Sequence, residues 1–464
     1  MRSNMITVAA VVAGIFLAAP MATADDVQEQ LRLMEQRMAE MEDRLQATSD
    51  ELNTAKTTVE EQQNLLTDAG LAADDRGIRS GVGKFLKEVD ISGVAAASYN
   101  YRFLGPDDDV SNGGNVGYFR HPDSNTFALD QLWMVIDKAV TEESRAGFHA
   151  EYVYGKTANS QGASGAFNGG NQDYEQSGLL YTGYVSYLAP IGSGVQIDAG
   201  KLATVLGAEV LQTNQNFNVT TGLVFGLQPV TYTGVQASTA LTDNLGLTVG
   251  VMNDVYTATS SDLENDKAYL AQLQLSGDMF GLNVGAIVGN DRTLGCGDAD
   301  DDCYTSVFDV LMTVDPTDSL SMWINFDWVK QFGERQTADG DAYGLAAAGR
   351  FAITEDTGFA TRVEYVRTTA SFNSGNTGPA GIGGGDSIPG SIGEVLSLTG
   401  TIDHALTDDL KLRLEARWDR QLDDNGGSFV NGINGLANGS PPISTVNPNR
   451  DDQVVGLAEI YYEF

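Results

Sequence analysis

From about Val89 onward the chain changes character with every residue, and that period constrains the fold more than anything else in it. Val89, Ile91, Gly93, Ala95, Ala97, Tyr99, Tyr101 and Phe103 fall on one face, while Asp90, Ser92, Ala96, Ser98, Asn100 and Arg102 make the other mostly polar. The same alternation separates Leu410, Leu412, Leu414, Ala416 and Trp418 from Lys411, Arg413, Glu415, Arg417 and Asp419. It recurs at Leu320, Met322, Ile324, Phe326 and Trp328, and at Tyr343, Leu345, Ala347, Phe351 and Ile353. A period of two marks a β-strand with one apolar face. These segments run about ten residues or more, where a soluble strand runs five or six. Ten is the length of a tilted strand crossing a bilayer.

The connections sharpen the reading. Short polar turns are expected at Thr141-Glu142-Glu143, Ala189-Pro190-Ile191-Gly192, Thr242-Asp243-Asn244, Ser276-Gly277-Asp278, Asp315-Pro316-Thr317-Asp318, Thr354-Glu355-Asp356 and Thr407-Asp408-Asp409. Between them lie long loops rich in Gly, Asn and Asp, near 104–126, 156–178, 202–229, 253–267, 289–304, 331–341, 368–393 and 421–452. Seven turns and eight loops alternate strictly, so the strands number 7 + 8 + 1 = 16, with both ends of the chain on the short-turn side. An even strand count, short turns on one side and long loops on the other describe an outer-membrane barrel of a Gram-negative bacterium. Closure follows because lipid cannot hydrogen-bond an open sheet edge. The expected fold is therefore all-β: a transmembrane antiparallel β-barrel of about 16 strands over 88–464, preceded by an N-terminal α-helical coiled coil. Barrels of this size leave an aqueous channel, so passive diffusion of ions and small hydrophilic solutes is the expected function.

Ahead of the barrel, Arg2, the apolar run from Ile6 to Ala19 and Ala22-Thr23-Ala24 read as an export signal over 1–24. Val27, Leu31, Met34, Met38, Met41, Leu45, Thr48, Leu52, Ala55, Val59, Gln62 and Leu66 then step by four and three without a break. That is a heptad seam, expected as a periplasmic coiled coil over 25–69 and a rod of about 60 Å. A narrow apolar stripe wants partner helices, which implies a homo-oligomer. Residues 70–87 read as the linker.

Composition excludes other classes. There are 63 Asp and Glu against 27 Lys and Arg, a formal charge of −36 that opposes nucleic-acid binding. The three histidines, His121, His149 and His404, sit in no recognisable nucleophile motif, so no catalytic residue and no enzyme is expected. No resident cofactor is expected either. Cys296 and Cys303 fall in one outer loop around Asp298, Asp300, Asp301 and Asp302. An oxidising compartment favours a loop disulfide. The aspartates also offer oxygen ligands to Ca²⁺, although their spacing does not match the EF-hand pattern.

The C-terminal strand alternates through Val454, Gly456, Ala458, Ile460 and Tyr462 to Phe464. A last strand ending in an aromatic residue resembles the signal read by the barrel-assembly machinery. Signal, coiled coil and 16-strand pattern together resemble the OmpL-like porins of the second β-barrel porin family. The local likeness is strongest at Gly200-Lys201, Gly207-Ala208-Glu209, Asn214, Asn216 and Thr231-Tyr232-Thr233-Gly234-Val235. The Pro-Glu-Phe-Gly-Gly loop of enterobacterial general porins is absent, so no residue role transfers from those proteins. The resemblance implies a porin in outer-membrane lipid, commonly a trimer.

The third long loop, near 202–229, has the position of the loop that narrows many 16-stranded porins, and is expected to form a constriction. Polar-face charges are candidate pore-lining residues: Arg102, Arg145, Glu151, Arg350, Arg362, Glu364, Arg413, Glu415 and Arg417, with Glu209 on the loop. Opposed signs among them can equally pair across strands and only hold the wall. Acidic loops such as Asp107-Asp108-Asp109 incline the pore toward cations. Two other functions fit the same features: a structural protein whose rod spaces or tethers the membrane to peptidoglycan, and a channel specific for one solute.

Overall fold

Sixteen antiparallel strands, each hydrogen-bonded to its neighbours in chain order and the last to the first, close into one barrel. The computed structural model describes residues 88–104, 121, 124–160, 178–256, 267–290, 303–333, 340–368, 394–422 and 452–464. The expected signal (1–24), coiled coil (25–69), linker (70–87), Cys296 and the acidic stretches 107–109 and 298–302 lie outside those residues. Among the described residues no helix is long and apolar enough to cross a membrane; the strands are the spanning elements.

The strands are β1 (Asp90–Leu104), β2 (Thr126–Lys138), β3 (Ala146–Tyr154), β4 (Gly178–Ala189), β5 (Val195–Ala203), β6 (Thr231–Thr242), β7 (Leu245–Met252) and β8 (Ala268–Ser276). They continue as β9 (Phe280–Asn290), β10 (Cys303–Thr317), β11 (Leu320–Gly333), β12 (Gly340–Ala352), β13 (Thr357–Thr368), β14 (Glu394–Ala405), β15 (Leu410–Gln421) and β16 (Asp452–Glu463). Seven short connections and eight long ones alternate as expected. One turn is tighter than expected: β10 runs through Pro316 to Thr317, with a register shift between Val314 and Thr317. Proline cannot donate to the ladder, and the shift is where its missing N–H costs nothing.

Period two now has a physical meaning on both faces. Val249, Leu273, Ile324, Leu345, Val363, Leu398 and Leu414 point outward and are about half exposed, an apolar band with no protein to cover it. Aromatic residues edge that band at both ends. Phe103, Phe127, Tyr269, Tyr304, Trp328 and Tyr343 lie toward the long loops, and Tyr187, Phe280, Phe351, Phe359, Tyr462 and Phe464 toward the short turns. Paired aromatic girdles around an apolar band are how a barrel meets the two interfaces of a bilayer.

The chain's last residue helps to seal the seam. Gly93 N donates to Phe464 O at 2.9 Å, and Phe464 N to Gly93 O at 3.1 Å. The Phe464 ring lies over Gly93, where a Cβ would come within 2.5 Å of Cζ. Replacing Phe464 with alanine should therefore lower the yield of closed barrel. The ratio of folded to unfolded barrel, read by the heat-dependent mobility shift on gels, should fall by about tenfold, the factor for a loss of about 1.4 kcal/mol.

Candidate functional site in the barrel lumen

Residues 204–230, joining β5 to β6 and called L3 below, are too apolar for a solvated loop. Leu206, Leu211, Val219, Leu223, Val224, Phe225, Leu227 and Val230 are all buried, although the segment forms no strand and only two short 3-10 turns, Thr213–Gln215 and Val224–Leu227. It is buried against the inner face of the barrel wall. Its neck is closed by Thr204 N donating to Val230 O at 3.0 Å. One apolar cluster joins Leu206, Leu223, Val224 and Leu227 to inward residues of β5 to β14, among them Leu202, Leu270, Ile287, Val307 and Ala346. A second joins Leu211, Phe225 and Val230 to Trp133 and Tyr181. Each buried Leu or Val contributes about 1.5–3 kcal/mol to holding the loop inside.

Backbone that is neither helix nor strand must find other partners when buried, and the wall supplies them. Glu415 accepts from Val219 N (2.6 Å), Thr220 N (3.0 Å) and Thr220 Oγ1 (2.6 Å). Arg362 Nη1 donates to Glu209 Oε1 and to Thr220 O, both at 2.6 Å, and its Nε donates to Glu364 Oε2 at 2.9 Å. Glu209 Oε2 in turn accepts from Gly222 N at 2.6 Å, which pins the two arms of the loop together. Arg413 pairs with Glu459 and donates to Asn216 O at 3.0 Å. Arg417 pairs with Asp419 (2.8 Å) and donates to Thr221 O at 3.0 Å. On β2, Gln131 Nε2 donates to Leu211 O at 2.6 Å. L3 thus leaves β5, is tied to β2 three strands away, and crosses the lumen to β11 and to β13–β16 on the far wall. Gly222 has to be glycine for this approach, because a Cβ there would lie 2.1 Å from Glu364 Oε1.

A family model described as "Putative beta-barrel porin-2, OmpL-like" matches residues 88–464, which is the whole barrel. The chain belongs to this family. Solved structures agree on the fold. The anion-selective porin of Comamonas acidovorans is 10% identical with a TM-score of 0.52, over 81% of this chain and 99% of that one. The outer-membrane channel DcaP of Acinetobacter baumannii is 12% identical with a TM-score of 0.50, over 81% of this chain and 97% of that one. OmpT of Vibrio cholerae, folded in vitro and in its trimer form, is 11% identical with a TM-score of 0.50, over 81% and 99%. No curated protein sequence matches the chain. The protein is an outer-membrane porin.

The porin places its sequence-predicted charges in two groups. Glu209, Arg362, Glu364, Arg413, Glu415 and Arg417 are buried, and all of them bind L3 or hold a residue that does. Wall support, rather than exposure to a lumen, describes them. Arg102, Arg145, Glu151 and Arg350 stay partly exposed. Arg145 precedes β3 instead of lying on it, and its guanidinium caps Leu188 O at 3.1 Å in the short-turn rim. Glu151 sits on β3 with His149, whose Nδ1 meets Asp137 and whose Nε2 meets Glu151, each at 2.8 Å. Trp133 Nε1 and Thr182 Oγ1 also donate to Glu151. On the same side of the wall Asp198 accepts from Ser186, Gln196 and Gln236. Opposite, Arg350 pairs with Asp403 at 2.5 Å and Lys411 with Glu463 at 3.1 Å. His404 is exposed at the end of β14 with Nδ1 at 2.9 Å from Thr357 Oγ1.

Sequence reasoning missed Gln131, Asn325, Asp327, Thr401 and Glu459, which all hold L3. A signal was present: each is a polar residue at an inward position of a strand whose outward positions are apolar.

Proposed function

We propose that this porin passes ions and small hydrophilic solutes by passive diffusion, that L3 narrows the path, and that the path prefers cations. The observation that carries the reading is the length of L3 fastened to the far wall, which takes cross-section from a lumen that 16 strands would otherwise leave wide. The preference follows from how inward charges are matched. Arg350 and Lys411 are each neutralised by their own carboxylate. Asp137, Glu151 and Asp198 have one histidine between them among the described residues. Unbalanced carboxylates along a low-dielectric wall raise the local cation concentration within about 8 Å at physiological salt. The Comamonas porin is anion-selective, so the wall charges and not the fold would set the sign.

The heptad seam at 27–66 asks for partner chains, and OmpT of Vibrio cholerae has been solved as a trimer; both support a homotrimer with its coiled coil in the periplasm. A channel and not a catalyst is the reading that suits the histidines: His149 is held between two carboxylates, and His404 lies on the outer face. Purified porin in a planar bilayer tests the proposal. Conductance should rise in groups of three equal steps, and the reversal potential in a KCl gradient should have the sign of K⁺ permeation. A Cl⁻-selective sign would sink the preference, and a silent bilayer would sink the channel.

A further inference from the structure

We propose that Asp309, Asp327 and Gln228 form a binding site for a hard divalent cation of the calcium type, which clamps the neck of L3 to β10 and β11. Asp309 and Asp327 face each other as cross-strand partners and are both fully buried. Among the described residues neither has a Lys, Arg or His partner. Two buried carboxylates on directly paired residues cannot both stay charged in a dry interior without a positive species between them.

The surrounding hydrogen bonds fix which atoms are left over. Asn325 Nδ2 donates to Asp309 Oδ2 at 2.6 Å, so its Oδ1 must be the acceptor for Ala208 N (3.2 Å) and Gln228 Nε2 (2.7 Å). Gln228 Nε2 also donates to Asp327 Oδ2 at 2.7 Å, and that carboxylate settles the orientation of the amide. Three oxygens then remain without a donor: Asp309 Oδ1, Asp327 Oδ1 and Gln228 Oε1. They come from β10, β11 and L3; Gln228 Nε2 ties the amide to Asp327, and its Oε1 packs against Gly207, where a Cβ would lie 1.8 Å from it. Gly207 has φ of 92°, a backbone conformation that leaves this approach to glycine.

An all-oxygen set with two carboxylates and one amide suits a hard cation of Ca²⁺ size. A single proton shared by the aspartates would neutralise one charge and leave the Gln228 oxygen unmatched; a cation satisfies all three. No group of three His, Cys, Asp or Glu side chains at metal-binding distance occurs among the described residues. The third ligand here is an amide, supplied by the loop that the ion would hold.

The test uses full-length porin refolded in detergent, free of lipopolysaccharide, with Asp300→Asn, Asp301→Asn and Asp302→Asn in the background to remove loop binding. After EDTA treatment, CaCl₂ is titrated by calorimetry and thermal unfolding is followed with and without Ca²⁺. One Ca²⁺ per chain should bind and raise the unfolding temperature, and Asp309→Asn or Asp327→Asn should abolish both effects. Gln228→Met, which spares the carboxylates and keeps the volume, should weaken Ca²⁺ binding by about tenfold or more. Three results would each overturn the site: no Ca²⁺ response in the parent, binding that survives the aspartate variants, or unchanged affinity in Gln228→Met. The first, together with an Asp309→Asn protein as stable as its parent, would assign the pair a shared proton instead.

Discussion

Replacing Arg362 with methionine should free L3 while leaving the barrel closed. Arg362 is completely buried and links three things: Glu209 and Thr220 on the loop, and Glu364 beside it on β13. Methionine fills much of the volume but leaves Glu209 and Glu364 as two buried carboxylates with no cation between them. Removing one partner of such a network costs about 3–5 kcal/mol. That cost falls on the docked state of the loop, because the sixteen strand pairings do not involve it. Single-channel records at neutral pH should flicker between the parent level and a higher one, while the folded barrel keeps its gel mobility. The effect has a pH sign. Burial pushes the Glu209 carboxyl above its usual range, against the pull of Arg362. Without Arg362 the docked loop favours the protonated form still more, so docking is penalised above that raised pKa and recovers as pH falls through it. Flicker should fade in mildly acidic buffer. Adding Glu209→Gln and Glu364→Gln should quiet the channel at neutral pH. A variant that is steady at neutral pH, or one that the added glutamines do not quiet, would show that charge is not what docks the loop.

The barrel was legible because lipid enforces it. An outward residue such as Leu345, Leu398 or Leu414 has only hydrocarbon to meet, so its period of two survives intact in the sequence. Turn positions were legible for the same reason: Thr354-Glu355-Asp356 interrupts two apolar faces where the chain leaves the bilayer. Inward residues follow no such rule. Arg362 and Glu364 look on the strand like any pair of lumen charges, and only the residues that L3 places against them decide whether they line water or bind protein. Position in the loop order suggested that L3 turns inward, and its content of Leu, Val and Phe carries the same message. What could not be read is where it lands. The contacts from Glu209 to Arg362 and from Val219 to Glu415 span 153 and 196 residues. They depend on the depth at which each inward residue sits in the closed barrel, and that depth is a property of strand tilt and register, not of local pattern. Asp309 and Asp327 were overlooked on the same ground: each is one inward acid on its own strand, and only the β10–β11 register makes them a pair.

Deleting residues 210–222 should raise single-channel conductance by about twofold or more, since the segment removed is the part of L3 that crosses to the far wall. The cut is one the chain can close: Gly222 N already bonds the Glu209 side chain at 2.6 Å, so the two new ends start close together. It also differs from the Arg362 variant in what it leaves behind. The deletion removes the loop cover over Arg413, Glu415 and Arg417, so these charges are hydrated instead of stranded. Their wall partners Glu459, Thr401 and Asp419 remain. The barrel should therefore stay folded, with a steady high-conductance record and no flicker. The newly wetted patch carries two arginines against three carboxylates, Arg413 and Arg417 against Glu415, Glu459 and Asp419, while Arg362 keeps Glu209 and Glu364. Cation preference should persist in the wider channel but weaken, because ions pass farther from the wall than a Debye length of about 8 Å allows it to act. Conductance equal to the parent would mean that the current never passed L3, and the constriction would have to be sought among the other long loops.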